Sequence, residues 1–357
     1  MPSPHQKSNL PILDLSKYQP NDPSSHSSQE FLKELDKTMR NIGFFYVKNH
    51  GIPLTVQQDA FKAMKAFFKL PLEEKLKIEL INSPHFRGYT RMKGETTNFK
   101  QDNREQVDLA REQNAETLEG RPAYVGLRGP NQWPEGVPGF KEDITALMAA
   151  MTDVALILLR AMVRTLNIDE DKFMAMFGND YGARVKLLRY PAMSNEEDRP
   201  NEHGLGVGPH KDSGFLALLL QDELGGLQVQ TQTGKWVDAV PIPNTFVVNI
   251  GEILERLTRK TFVATTHRVL TLTSTDQDRF SFPLFLAPAL ETRIPQLDVP
   301  LAAKNVVSDV KEEQLLQDEV YGVNELNSYC RSHTKVAQKW YPLQCTNGVA
   351  DKVITKP

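Results

Sequence analysis

Apolar and polar positions change their spacing part-way along the chain. Up to about residue 180 the apolar residues recur at helical intervals, as in Phe31, Leu32, Leu35 and Met39, and again in Val56, Ala60, Phe61, Met64, Phe67 and Phe68, a run that Pro71 stops. A helix is expected to open after Ser27-Ser28-Gln29-Glu30, a long one over 138–166 and a short one over 169–177, with strands at 10–15 and 44–47. Beyond residue 183 the texture becomes short strands about ten residues apart, at 185–189, 214–221, 227–231, 236–240, 246–250, 262–272 and 280–286. Leu227-Gln228-Val229-Gln230 and Val269 to Thr273 alternate in and out, and repeated short strands of this kind predict a sandwich or barrel. The fold class is thus mainly β with flanking helices. A single unit spans 1–357: a mixed or helical region over 9–180, the β core over 181–300, and a helical tail over 301–357 with helices at 315–321 and 323–340 around Gly322.

Between 81 and 133 the chain is long, polar and glycine-containing, with Phe86-Arg87-Gly88-Tyr89 and Arg104-Glu105-Gln106-Val107-Asp108 inside it. Long loops on compact proteins tend to cover sites, so ligand contacts are expected here, from Arg87 and Tyr89.

Composition narrows the classes. Of 357 residues, 40% are apolar and 24% charged, with a formal net charge of −3, which gives no reason to expect nucleic acid or a membrane as partner. The most apolar stretch, 146–163, is interrupted by Asp153 and Arg160 and reads as a buried helix rather than a span. Two cysteines, Cys330 and Cys345, are too few for a disulfide framework or a zinc cluster. Without the apolar core of a signal peptide at the N-terminus, a cytoplasmic monomer is expected.

The chemistry gathers in Gly208-Pro209-His210-Lys211-Asp212-Ser213-Gly214. On an extended strand residues i and i+2 face the same way, about 7 Å apart, so His210 and Asp212 converge while Lys211 turns away. His267, in the strand-like run Ala264 to Leu270, would complete two imidazoles and a carboxylate on one face of a metal, the facial arrangement of non-haem Fe(II) oxygenases. Arg279-Phe280-Ser281 follows, and period two puts a guanidinium fork beside a hydroxyl, a pair suited to a carboxylate.

These residues, with Tyr190-Pro191, resemble the iron(II)/2-oxoglutarate-dependent dioxygenases, in the branch that includes isopenicillin N synthase and the plant hormone and flavonoid oxidases. Asn9 to Leu15, Gly43 to Pro53, Gly129-Pro130-Asn131-Gln132-Trp133-Pro134 and Asn249-Ile250-Gly251-Glu252 extend the likeness over about 9–340. The resemblance implies a distorted double-stranded β-helix (jelly roll). It implies Fe(II) on His210, Asp212 and His267, with 2-oxoglutarate and O2 as co-substrates. Arg279 and Ser281 would hold the distal carboxylate of 2-oxoglutarate and Tyr190 would donate to it.

The implied reaction oxidises an unactivated C–H bond of a small molecule and releases succinate and CO2. Arg184 to Pro191 and the Gly94-Glu95-Thr96 run are closer to microbial members, among them the ethylene-forming enzyme; aligned with it, Lys186 lies beside the co-substrate and Phe285 near the iron and substrate. Leu188, Leu218 and Phe285 should make the dry lining. His50 is expected to serve its turn, Asn249 and Glu252 to be structural, and His203 to be a solvated loop residue. Alternatives remain: an iron oxidase without 2-oxoglutarate like isopenicillin N synthase, which uses an Arg-x-Ser pair too, an ethylene-forming enzyme, or a non-catalytic receptor on the same fold. A zinc hydrolase is weaker, since no general base has a defined spacing.

Overall fold

Alternation along the strands decides the architecture of this protein. The computed structural model describes residues 10–97, 100–192, 205–271, 276–295, 297, 299 and 318–343. Its strands run β1 (Ile12–Asp14), β2 (Phe44–Lys48), β3 (Gly88–Thr90), β4 (Thr96–Thr97), β5 (Lys100–Gln101), β6 (Glu105–Ala110) and β7 (Gly182–Tyr190). They continue as β8 (Leu205–His210), β9 (Leu216–Gln221), β10 (Leu227–Gln230), β11 (Trp236–Asp238), β12 (Thr245–Ile250), β13 (His267–Leu270) and β14 (Arg279–Ala287). The helices are α1 (His26–Asn41), α2 (Leu54–Phe68), α3 (Leu72–Leu76), α4 (Phe140–Thr165), α5 (Glu170–Met174), α6 (Glu252–Leu257), α7 (Tyr321–Ser332) and α8 (Thr334–Trp340).

Eight strands form the major sheet in the order β1-β2-β12-β9-β14-β7-β6-β3, and four form a minor sheet in the order β11-β10-β13-β8. Apart from the parallel β1–β2 pair, the described pairings in both sheets are antiparallel. The two sheets make a distorted double-stranded β-helix, the jelly roll. Four strands of the major sheet come from the region before residue 180, so that region completes the sheet rather than standing apart from it.

Each central strand of the major sheet has two chemistries. On β9, Leu216, Leu218 and Leu220 enter the core beneath the helices, whereas Ala217 and Leu219 line a cavity on the other side. On β14, Phe280, Phe282 and Leu284 go to the core, and Arg279, Ser281, Pro283 and Phe285 to the cavity. This is the side-chain period of two that a pleated strand imposes. Leu218, expected in the lining, therefore belongs to the helix-packed core, and its neighbours Ala217 and Leu219 take that place.

The core is closed by α4, whose Ile144, Leu147, Met151, Leu158 and Met162 are buried together with Phe67 of α2 and Leu35 and Met39 of α1. By length and composition α4 could cross a membrane, but it is the core helix here, with 61% of its apolar window buried.

Several boundaries differ from expectation. Helix α1 begins at His26, a turn earlier than Ser27-Ser28-Gln29-Glu30 suggested: the buried Ser28 accepts from the Gln19 N–H and donates to the Asp22 carbonyl, tying the preceding loop instead of capping the helix. The strand expected over 262–272 is ordered as a strand only at His267–Leu270, and Leu272 and Thr273 lie outside the described residues, as does His203. Gly322 lies within the first turn of α7, not between helices, and Asp318 to Val320 are not helical. The 81–133 segment is partly sheet, since β3 and β6 extend the edge beyond β7. Cys330 is disulfide-bonded, and the other cysteine, Cys345, lies outside the described residues.

Candidate metal centre

His210 ends β8 and His267 begins β13, and the two are direct cross-strand partners, their ring centroids 4.3 Å apart. Asp212 stands two residues past the end of β8, where the chain leaves the sheet. Nε2 of each histidine is 3.8 Å from Asp212 Oδ1, and the three ligand atoms lie within 4.8 Å of one another. An ion with bonds of about 2 Å fits between atoms so placed.

Hydrogen bonds behind the ligands fix what they present. His210 Nδ1 is 2.9 Å from the Gly208 carbonyl and His267 Nδ1 3.2 Å from the Thr265 carbonyl, so each Nδ1 carries the proton and each Nε2 offers its lone pair. Burial and the neighbouring His267 hold the His210 imidazole down at about 4, neutral at ordinary pH. Burial pushes the Asp212 carboxyl up, but the two imidazoles and the Asn249 amide outweigh it and keep it ionised. Asn249 Nδ2 donates to Asp212 Oδ2 at 2.7 Å, which leaves Oδ1 for the metal.

The next residues of that motif hold the same loop. The Glu252 N–H donates to the Asp212 carbonyl at 2.8 Å, and Gly251 packs so closely that a Cβ there would lie 2.1 Å from the Gly214 carbonyl oxygen. Lys211 points away, to Glu255 at 3.2 Å.

A cavity of about 330 Å³ opens between the sheets over this cluster. Arg279 and Ser281 share its wall, with Arg279 Nη1 3.4 Å from Ser281 Oγ, Nε donating to the Gly225 carbonyl, and the guanidinium 4.8 Å from the Tyr190 ring. The Tyr190 hydroxyl accepts from Arg104 Nη1 at 3.3 Å. Lys186 also faces the cavity and is paired with Glu95 at 2.6 Å and Asp108 at 3.4 Å. Phe285 lines the opposite end, beneath the Arg184 guanidinium at 5.0 Å.

Of the two residues expected from the 81–133 cover, Arg87 reaches the wall and Tyr89 does not. Tyr89 sits on β3 with its side chain in the helix-packed core, 5.9 Å from the Phe67 ring, and donates to Glu105, which also binds Lys75. Edge pairing of β3 with β6 turned alternate residues of the supposed loop inward. His50 is buried far from the metal cluster in sequence and sheet position, its Nδ1 accepting from the Ile52 N–H.

Residue spacing missed a second group on the wall. Glu95 accepts from Lys186, from Arg104 at 2.8 Å, and lies 3.4 Å from His333, a residue between α7 and α8. Burial works against the Glu95 carboxylate, but Lys186, Arg104 and His333 hold it well below the usual range. Asp102, buried beside Glu95, is pushed up to about 6. From α7, Tyr321, Glu325, Ser328, Tyr329 and Ser332 face the cavity at helical spacing, and Glu325 binds Arg184 at 2.9 Å. That spacing was readable as a helix, but nothing in it said which partner it would meet.

Residues 10–136 match the family model described as non-haem dioxygenase in morphine synthesis N-terminal, and residues 176–288 the model of the 2OG-Fe(II) oxygenase superfamily. A 2-oxoglutarate-dependent dioxygenase of Dothideomycetidae sp. (strain 11243) is 35% identical over 350 residues, covering 93% of this chain and 92% of that protein. A homoarginine-6-hydroxylase of Arabidopsis thaliana is 33% identical, covering 81% and 88%. Among solved structures, a Neurospora crassa protein in complex with alpha-KG and thymine superposes with a TM-score of 0.69 at 28% identity, covering 81% and 88%. JOX2 in complex with 2OG, Fe and JA gives 0.65 at 28% identity, covering 81% and 78%.

Proposed function

The chain belongs to the 2OG-Fe(II) oxygenase superfamily, and from that premise we propose a role for each residue of its cavity. The protein is an Fe(II)- and 2-oxoglutarate-dependent oxygenase that oxidises a C–H bond of a small molecule with release of succinate and CO2. In our reading His210, Asp212 and His267 hold the iron, oriented by the Gly208 and Thr265 carbonyls and by Asn249. Arg279 and Ser281 take the distal carboxylate of 2-oxoglutarate over the Tyr190 ring, with Lys186 further along the same strand face as a point charge.

The chemistry supplied by iron, when bound, is the activation of O2 coupled to oxidative decarboxylation of 2-oxoglutarate. The chain's own part is to orient and to exclude water. Leu188, Leu219 and Phe285 make that apolar lining. The observation that carries the reading is the convergence of three ligand atoms within 4.8 Å on a cavity that also holds the Arg279–Ser281 pair.

The test is to add Fe(II) and then 2-oxoglutarate without oxygen and follow the visible spectrum, then to admit O2 and measure succinate against a panel of small metabolites of the size of thymine or homoarginine. Substrate oxidation that proceeds without 2-oxoglutarate and is unaffected by adding it would overturn the co-substrate assignment in favour of an oxidase.

A further inference from the structure

The cations on the cavity wall divide by what balances them. Arg104 has Glu95 at 2.8 Å, Arg111 has Asp180 at 3.7 Å, Arg128 has Glu116 at 3.1 Å, Arg184 has Glu325 at 2.9 Å and Lys186 has Glu95 at 2.6 Å. Among the described residues, two buried cations of the wall have no carboxylate oxygen within 4 Å: Arg279 and Arg87. For Arg279 the site described above supplies the missing anion, the distal carboxylate of 2-oxoglutarate. Arg87 presents the same imbalance without an anion assigned to it.

Arg87 is only 5% exposed, yet everything its guanidinium touches is a carbonyl: His85 at 2.7 Å and Phe86 at 3.4 Å from Nη1, and Leu127 at 3.0 Å from Nη2. Its Nε is shut away from solvent with no acceptor. Carbonyl dipoles orient a guanidinium but leave its charge uncompensated, and a buried charge is costly unless it is paired. Nη2 still has a second hydrogen to give.

Its position excludes a second contact to 2-oxoglutarate. Arg279 opens β14, whereas the Phe86 ring next to Arg87 is 4.7 Å from Tyr329, which lies under Arg184, the cross-strand partner of Phe285. Phe285 is six residues along β14 from Arg279, or ~20 Å. Arg87 is therefore at the far end of the cavity, beside α7.

We propose that Arg87 is the specificity residue for the primary substrate, and that this substrate carries an anionic group, a carboxylate or a phosphate, which docks on Arg87 while the carbon to be oxidised faces the metal. This rests on the oxygenase reading. The anchor is independent of the 2-oxoglutarate contact, so the two can fail separately.

The experiment uses the full chain loaded with Fe(II) and 2-oxoglutarate under anaerobic conditions. Its unfolding midpoint is followed with three matched sets of small probes: monocarboxylates, their primary amides, and phosphate monoesters. The expectation is that members of one anionic set raise the midpoint while the uncharged amides do not, the set that acts telling carboxylate from phosphate. Arg87→Gln should weaken that binding by about ten- to a hundredfold, and Arg87→Lys by less, with the 2-oxoglutarate dissociation constant unchanged within about twofold. Amides that protect as well as the anions, no protection by either anionic set, or wild-type anion binding in Arg87→Gln would each overturn the proposal. So would a loss of 2-oxoglutarate binding in Arg87→Lys as large as that in Arg279→Gln. The comparison of anions with amides uses the wild-type protein, so it stands even where a variant folds poorly.

Discussion

At the residue scale the metal cluster is decided by what stands behind each ligand. Asn249 touches no metal position, yet its amide occupies one oxygen of Asp212 and so aims the other. Asn249→Ala should raise the metal dissociation constant about 10–100-fold with the secondary structure unchanged, measured by metal titration beside circular dichroism. His210→Ala, Asp212→Ala and His267→Ala should each abolish turnover; one variant at wild-type rate would remove that residue from the cluster. For the co-substrate, Arg279→Gln should raise the 2-oxoglutarate requirement by on the order of a hundredfold. Lys186→Ala should raise it less, because the ammonium is already shared with Glu95 and Asp108. An unchanged 2-oxoglutarate affinity in Lys186→Ala would take Lys186 out of the site.

Residue spacing made part of this site legible, and the reason is geometrical. His210 with Asp212, and Arg279 with Ser281, are each two residues apart, His267 lies in a strand-like run, and the likeness to a known family added Tyr190 and Lys186. Glu95, Arg104 and His333 were not legible as a group, because they meet through pairings between the edge strands, β7 and the C-terminal helices that no local pattern encodes. Tyr89 was misplaced for the same reason: once β3 pairs with β6, its side chain faces the core.

At the element scale the strands were found by their texture and misjudged at their ends. The 262–272 run shortens to β13 because Phe262, Val263 and Ala264 are buried in loops, where apolar residues look the same as in strands. One outer element gives a pH test. Asp14 ends β1, where burial raises its carboxyl but the Ser16 hydroxyl and N–H, the Asn49 amide and Lys48 on β2 prevail and lower it to about 2. Its folded value is below its unfolded one, so its contribution to stability is complete above about pH 4 and disappears as the pH falls through about 2. Because the side chain is partly solvated, the effect is small. Asp14→Asn should lower the unfolding midpoint by about 1–3 °C at pH 6, and the gap to wild type should close towards pH 2. A gap that is constant across that range would refute the assignment.

For the whole molecule, the cluster joins pieces distant in sequence: β8 and β13 of the minor sheet, and through Asn249 a strand of the major sheet. A ligand that binds the folded chain alone stabilises it by mass action, about 2.7 kcal/mol at a hundred times its dissociation constant. Chelation of a metal-loaded sample should therefore lower the unfolding midpoint, and Fe(II) followed by 2-oxoglutarate should raise it in two steps. A midpoint insensitive to chelator would contradict metal binding at this cluster. Net charge near zero and ordinary composition said nothing of this coupling, which is a property of topology.

The two-faced strands also bear on how such a protein can change over generations. Along β9 and β14, every second side chain from Leu216 to Leu220 and from Phe280 to Leu284 is held in the core and the intervening ones line the cavity. In a library of single variants across these strands, losses of soluble protein should therefore fall on one parity of residue number, and changes of substrate preference on the other. New substrates can then be acquired at Ala217, Leu219, Pro283 or Phe285 while the helix-facing neighbours keep the chain folded.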